Sequence, residues 1–239
     1  MNLSMMFYGD PGMGKTVLAC SAIEVAEMQP ILMLDLESNI TSVKSKLNFI
    51  EAKDLGKKIV KDKIDRLAIS STNDIQTVLD YVLTNRNVYK TIIIDSLSEI
   101  CSMALNEAAG EGKVRKSLLT VIPHQIQNYG YVTLLIKQVI DAFKQLDATI
   151  IYTSLEDIDK IEGELVMKVR PNFFGKLSRE VMARIAIVGN LSIKIGGTSR
   201  EVRFQPTNRI VAKDQSEDGK LGTTMENPTM KKIMEKING

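Results

Sequence analysis

Short, almost unbroken apolar runs alternate along this chain with longer stretches in which apolar residues recur every three or four positions. The runs cover residues 3–7, 30–37, 67–70, 90–96 and 148–153, and two of them close on acids, Asp35 to Glu37 and Asp95. Runs of this length predict strands buried on both faces. Between them, Leu18, Ala22 and Val25 define a helical face over 16–26. Ile75, Val78, Leu79 and Val82 define another behind a capping Ser71 or Thr72. A helix is expected from about 97 to 108, and an amphipathic one over 131–146 carries Leu134, Leu135, Val139, Ile140 and Phe143. Residues 39–65 are polar and Lys-rich and read as a surface connection with a short helix, while 109–128 reads as irregular. Strands alternating with helices predict parallel β-α-β units with right-handed crossovers.

The last third changes character. Residues 158–169 suggest a hairpin around Gly163. Residues 185–188, 191–195 and 201–205 read as short strands, the last two joined at Gly196-Gly197, and 230–237 as a terminal helix. The expected fold is therefore α/β: a mainly parallel central sheet flanked by helices, with antiparallel strands added along one edge. With no repeat, low-complexity tract or composition break, residues 1–239 are expected to form one domain.

Between the first strand and the first helix stands Gly9-Asp10-Pro11-Gly12-Met13-Gly14-Lys15-Thr16, a complete G-x-x-x-x-G-K-[ST] loop in the context that this motif requires. Its glycines let backbone N–H groups turn inward as a nest for phosphate oxygens, above the positive end of a helix. Lys15 can reach the β- and γ-phosphates and the Thr16 hydroxyl can ligand Mg²⁺. Residues Gly9 to Thr16, together with Val17, are the expected nucleotide contacts. The order G-x-x-G-x-G followed by Lys-Thr excludes a dinucleotide-binding fingerprint.

A phosphate loop that hydrolyses ATP needs acids beside it. Asp95, delivered at the carboxyl end of Ile92-Ile93-Ile94, is the expected Mg²⁺ residue, through water. The next residue is Ser96, so a water-activating glutamate immediately after the metal acid is missing, and Glu99 is expected to point away. Glu37, at the end of the strand after the loop's helix, is the better candidate for positioning water, with Asp35 structural. Thr153, at the end of the fifth strand, either senses the γ-phosphate or bonds nearby backbone.

Composition narrows this further. Thirty-one basic against 29 acidic residues give a net charge of +2, so no global field recruits nucleic acid. A single histidine, His124, excludes a histidine triad or multi-histidine metal site, and Cys20 and Cys101 read as reduced core thiols. No apolar run approaches a membrane span and no leader precedes the first strand, so a cytoplasmic protein is expected, without membrane partners.

The glycine loop near residue 1, the strand ending Asp-x-Glu and Ile-Ile-Ile-Asp-Ser together resemble a RecA-like P-loop ATPase core. Tyr129-Gly130-Tyr131-Val132, Ala148-Thr149-Ile150-Ile151-Tyr152-Thr153, Val169-Arg170-Pro171-Asn172-Phe173-Phe174-Gly175-Lys176 and Ile210-Val211-Ala212-Lys213-Asp214 resemble its phage-encoded branch, the Sak group of single-strand annealing proteins. The resemblance implies a Mg²⁺-dependent ATPase acting on single-stranded DNA in annealing or strand exchange, in the host cytoplasm if phage-encoded. It implies a homo-oligomer, with a single-stranded-DNA-binding protein as a further candidate partner. It also implies that Glu37 is the catalytic glutamate. Lys213 would reach a neighbouring subunit's ATP site, with Arg209 a weaker substitute. Two loops would face DNA, 109–128 with Lys113, Arg115 and Lys116, and 155–176 with Lys160, Lys168, Arg170, Lys176, Phe173 and Phe174. Acids in the same loops leave an ordinary solvated surface as the equal alternative. RecA's amino-terminal docking segment and separate DNA-binding domain are not expected here, which leaves ring, short assembly or filament open. The alternatives are an assembly or regulatory ATPase that does not bind DNA, and a small-metabolite kinase, for which neither an arginine-rich lid nor an acceptor pocket is visible.

Overall fold

A computed structural model describes residues 3–110, 123–160, 167–194 and 196–239. The apolar runs form the strands β1 (Ser4–Gly9), β2 (Ile31–Asp35), β4 (Ile64–Ala68), β5 (Thr91–Asp95) and β6 (Thr149–Lys160), with β3 (Leu47–Ile50) outside them. Later come β7 (Met167–Pro171), β8 (Ile187–Ile193), β9 (Arg200–Arg203), β10 (Lys213–Asp214) and β11 (Thr224–Glu226). The helices are α1 (Lys15–Cys20), α2 (Thr72–Thr84), α3 (Leu97–Ala108), α4 (Ile126–Phe143), α5 (Leu177–Arg184) and α6 (Met230–Asn238).

One sheet runs through the described residues in the order β11-β9-β8-β1-β6-β5-β2-β4-β3. The strands from β8 to β3 are parallel, while β9 and β11 extend the β8 edge antiparallel, as the sequence predicts. Alternate residues of the central strands feed two cores. Met6, Tyr8, Leu34, Ile94 and Tyr152 pack under α2, α3, α4 and α5. Met5, Phe7, Met33, Ile93 and Ile151 pack under α1 and α6. Burial on both faces is why these runs do not alternate in polarity.

Four local differences from the sequence reading have physical causes. The first helix is α-helical only to Cys20 and continues as 3₁₀ turns over Ser21–Glu24 and Ala26–Met28. Ser21 Oγ donates to the Leu18 carbonyl at 2.7 Å and accepts from Met230 N at 2.8 Å, so a hydroxyl competes for the helix's own acceptor. Within 39–65 lies the edge strand β3, whose signal is weak because only Leu47 is buried. Where two strands are expected, β8 runs unbroken from Ile187 to Ile193, since Gly189 is not a turn. A side chain there would meet Val202 Cγ2 at 2.7 Å and Phe7 Cδ1 at 3.2 Å. Finally, β6 runs on to Lys160, leaving the parallel sheet to pair antiparallel with β7 from Glu156↔Pro171 to Lys160↔Met167. That is the expected hairpin, although Gly163 lies outside the described residues.

Ser71 caps α2 in a full capping box with Asp74. Cys20 and Cys101 are buried, and burial pushes both thiols up to about 12. Among the described residues, no helix is long and apolar enough to cross a membrane.

Candidate functional site: the glycine loop and its acids

The parallel register brings the chemistry to one sheet edge. β1, β6, β5 and β2 all point their carboxyl ends the same way, and the loop between Gly9 and Lys15 crosses above them. In open α/β sheets this is the edge that takes ligands. Gly12 and Gly14 have φ of 81° and 93°, values that glycine adopts without the clash a Cβ would bring. Gly14 is the N-cap of α1, and Leu18 N donates to its carbonyl at 2.9 Å.

Lys15 is only 8% exposed. Its Nζ donates to the carbonyls of Gly9 at 2.8 Å and Asp10 at 2.9 Å, tying the two ends of the loop together. Burial holds its pKa below the ordinary lysine value, opposed by the carboxylates of Glu37, Asp95, Glu156 and Asp10.

Asp95 is 3% exposed. One carboxylate oxygen accepts from Thr16 Oγ1 at 2.8 Å and the other accepts from the Thr153 hydroxyl. Thr153 thus bonds a carboxylate rather than nearby backbone. Burial pushes the Asp95 carboxyl up to about 6. The two hydroxyl hydrogen bonds oppose this, and the nearby charges of Glu37 and Asp35 reinforce it. The cap of α3 is Ser96, whose Oγ accepts from Glu99 N, so Asp95 is not spent on capping.

Asp35 lies beside Asp95 in register and is structural, as expected. Arg66 Nε and Nη2 donate to it at 2.8 and 2.5 Å, and Ser38 N donates at 2.9 Å. The chain then turns through Ser38, at φ 59°, and Glu37 and Asn39 enter the wall of a cavity of about 410 Å³. Pro11, Gly12, Gly14, Lys15, Thr16 and Val17 line the same cavity. Glu99 lines a different cavity, with Ser98, Ser102 and Leu155, and not the one that Glu37 lines. Burial raises its pKa, and the charge of Glu37 raises it further.

The remaining predicted residues fall elsewhere. Lys213 is not at this cavity of its own chain. Its Nζ donates to the carbonyls of Met182, Ala183 and Ile185, closing the C-terminal end of α5. Lys113, Arg115 and Lys116 lie outside the described residues, as does the side chain of Lys160. Arg170 is held by Asp159 at 2.8 Å and Asp157 at 3.5 Å. Phe173 is 2% exposed and belongs to the core, which removes it from base stacking. Phe174 packs edge-on against Tyr129, with ring centroids 5.0 Å apart. Lys168 and Lys176 are exposed.

Two residues at the site had no signal in the sequence reading. Glu156 acts on Lys15 and shares the Asn190 amide at 3.3 Å, because β6 outruns the parallel sheet. Arg200 lines the cavity from β9. Neither belongs to a motif, and both depend on strand lengths that hydrophobic runs do not reveal.

The residues fit a metal–nucleotide pair. Asp95 is a buried carboxylate with no cationic side chain paired to it among the described residues, and its only side-chain partners there are hydroxyls. Among the described residues, no group of three or more His, Cys, Asp or Glu could hold a metal unaided. A cation here would take its remaining ligands from phosphate oxygens and water, as Mg²⁺ does. A strand, an anion-binding glycine loop over a helix start, and a buried acid at the end of the strand one place further across the sheet define a P-loop nucleotide-binding protein. A family model described as an AAA domain matches residues 1–216, and the chain belongs to that family of P-loop ATPases. No curated protein matches it.

The buried acid has a measurable cost. Raised from 3.8 to about 6, the Asp95 carboxyl binds its proton more tightly in the folded than in the unfolded chain. Its favourable contribution is full below pH about 4, is lost as pH rises through about 6 and stays lost above. Two pKa units correspond to about 3 kcal/mol. In nucleotide- and magnesium-free buffer, Asp95→Asn should therefore melt several degrees above the parent at pH 7.5, and the gain should vanish near pH 4. Thermal unfolding at the two pH values measures it.

Proposed function

We propose that this protein is a Mg²⁺-dependent ATPase of the RecA-like type that works on single-stranded DNA as a homo-oligomer, in annealing or strand exchange. The observation that carries the ATPase part is the convergence of Glu37 with Lys15 and Thr16 on one cavity, Asp95 lying behind Thr16. In this reading Thr16 and Asp95 hold Mg²⁺, which supplies charge neutralisation on the phosphates when bound. Lys15, now on two loop carbonyls, is the ammonium available to phosphate oxygens. Glu37 accepts a hydrogen bond from the attacking water and orients it, and Thr153 holds Asp95 in place. The recombination role rests on the resemblance of the later segments to the Sak group, and the domain is taken as residues 1–239. Lys213 would have to leave the end of α5 to serve a neighbouring subunit.

One observation favours the second reading, a nucleotide-dependent assembly or regulatory ATPase that does not touch DNA. On the β6–β7 arm, Arg170 is neutralised by two aspartates and Phe173 is buried. The test is the ATPase rate with and without single-stranded DNA at 50 and 200 mM salt. The DNA reading expects stimulation that falls steeply at the higher salt, as phosphate contacts do. No stimulation and no gel shift at either salt selects the second reading.

A further inference from the structure

We propose that Arg200 is a nucleotide ligand in cis, gripping the part of the phosphate chain that ADP and ATP share. The inference rests on the glycine loop being the nucleotide site. It starts from strand geometry. β8 runs parallel to β1 from Met5↔Ile187 to Tyr8↔Asn190 and continues past the end of β1, and β9 returns antiparallel with Ile193↔Arg200. The hairpin therefore stands over the glycine loop. Contact is tight at both ends of that loop: a Cβ on Gly9 would lie 2.3 Å from the Leu191 carbonyl oxygen, and one on Gly14 would lie 2.8 Å from Arg200 Nε and 3.2 Å from its Cζ. The glycine that lets the loop turn into α1 thus also makes room for a guanidinium.

The backbone of Arg200 is fixed, while its exposed guanidinium has no partner of its own among the described residues. The Arg200 carbonyl accepts from Asn227 N at 2.7 Å, fixing its backbone. The nearby carboxylate of Glu226 is taken by Lys194 at 3.0 Å and Ser199 at 2.7 Å. Among the described residues, Arg200 makes no ion pair and no side-chain hydrogen bond, and it opens onto the same cavity as Lys15, Thr16 and Glu37. A planar five-donor cation placed against an anion-binding loop suits bidentate contact with phosphate oxygens. Its place at Gly14 sets which phosphates. The loop's backbone cradles the α- and β-phosphates, whereas Thr16, Asp95 and Glu37 mark the γ end.

Calorimetric titration of ADP and of a non-hydrolysable ATP analogue, each with Mg²⁺, tests this on the full chain with Lys15→Ala in parallel. Arg200→Ala should weaken both ligands equally, by roughly 10- to 100-fold, the worth of one charge-assisted contact. Arg200→Lys should recover part of that loss, and Arg200→Gln none. The melting temperature without nucleotide should stay near the parent's, because among the described residues the side chain has no hydrogen-bond or ion-pair partner to lose. Unchanged affinities in Arg200→Ala, with binding lost in Lys15→Ala, overturn the role of Arg200 and leave the site standing. A loss confined to the ATP analogue overturns the shared-phosphate assignment. Absence of binding in the parent chain, or binding undiminished in Lys15→Ala, overturns the site and this inference together.

Discussion

Glu37→Gln should bind MgATP with near-parental affinity and hydrolyse it 10²- to 10⁴-fold more slowly. The substitution keeps the side chain's length and its place in the cavity that Lys15 and Thr16 also line. It removes the carboxylate that would accept a proton or hydrogen bond from water, and positioned general-base contributions have that size. Neither neighbouring acid is placed to substitute. Asp35 is fully engaged by Arg66 and Ser38 N, and Asp95 by Thr16 and Thr153. Glu99, within electrostatic reach of Glu37, is the control. Glu99→Gln should lower turnover far less, and the reverse result would move the water-positioning role onto α3. Single-turnover hydrolysis and equilibrium binding, measured on the same preparations, separate the two steps.

Lys15→Ala should abolish detectable nucleotide binding, a loss of at least 10²-fold. The ammonium is the cation most deeply set in the cavity, and the carboxylates of Glu37, Asp95, Glu156 and Asp10 all act on it. Without it, a triphosphate would meet those acids with one fewer opposing charge. The cost to the nucleotide-free fold should be modest, because the two hydrogen bonds to loop carbonyls that are lost are offset by relief of the desolvation of a buried ammonium. A Lys15→Ala chain that stays folded by circular dichroism yet binds no nucleotide is the expected pair of results. Binding within a fewfold of the parent would place the phosphates elsewhere.

The parts of this site legible in the sequence are those where local pattern and chemistry coincide. Gly9 to Thr16 could be read because backbone geometry demands glycine at fixed positions. Asp95 could be read because four buried β-branched or apolar residues leave an acid at a strand end. The alternation of strands and helices predicts parallel strands but not their order, and it is the pairing of β2 beside β5 that brings Glu37 round to the loop. Other features depend on how far strands extend beyond their apolar cores. β6 carries Glu156 past the sheet on charged residues that hydrophobic patterning reads as a loop. The β8–β9 hairpin brings Arg200 to Gly14 across almost the whole chain length. Lys213 shows the opposite limit. The family resemblance implies a lysine that reaches a neighbour, with a plain surface lysine as the alternative, but three carbonyls at the end of α5 hold it. Edge strand β3 escaped notice because an edge has only one neighbour and little to bury.

A crystal structure of the protein grown with a non-hydrolysable ATP analogue and Mg²⁺ tests the central claim most directly. The account predicts the triphosphate lying in the turn from Gly9 to Thr16, the metal beside Thr16 and Asp95, and the Glu37 carboxylate one water away from the γ-phosphate. A triphosphate bound at another surface, with the glycine turn holding only solvent, would contradict it.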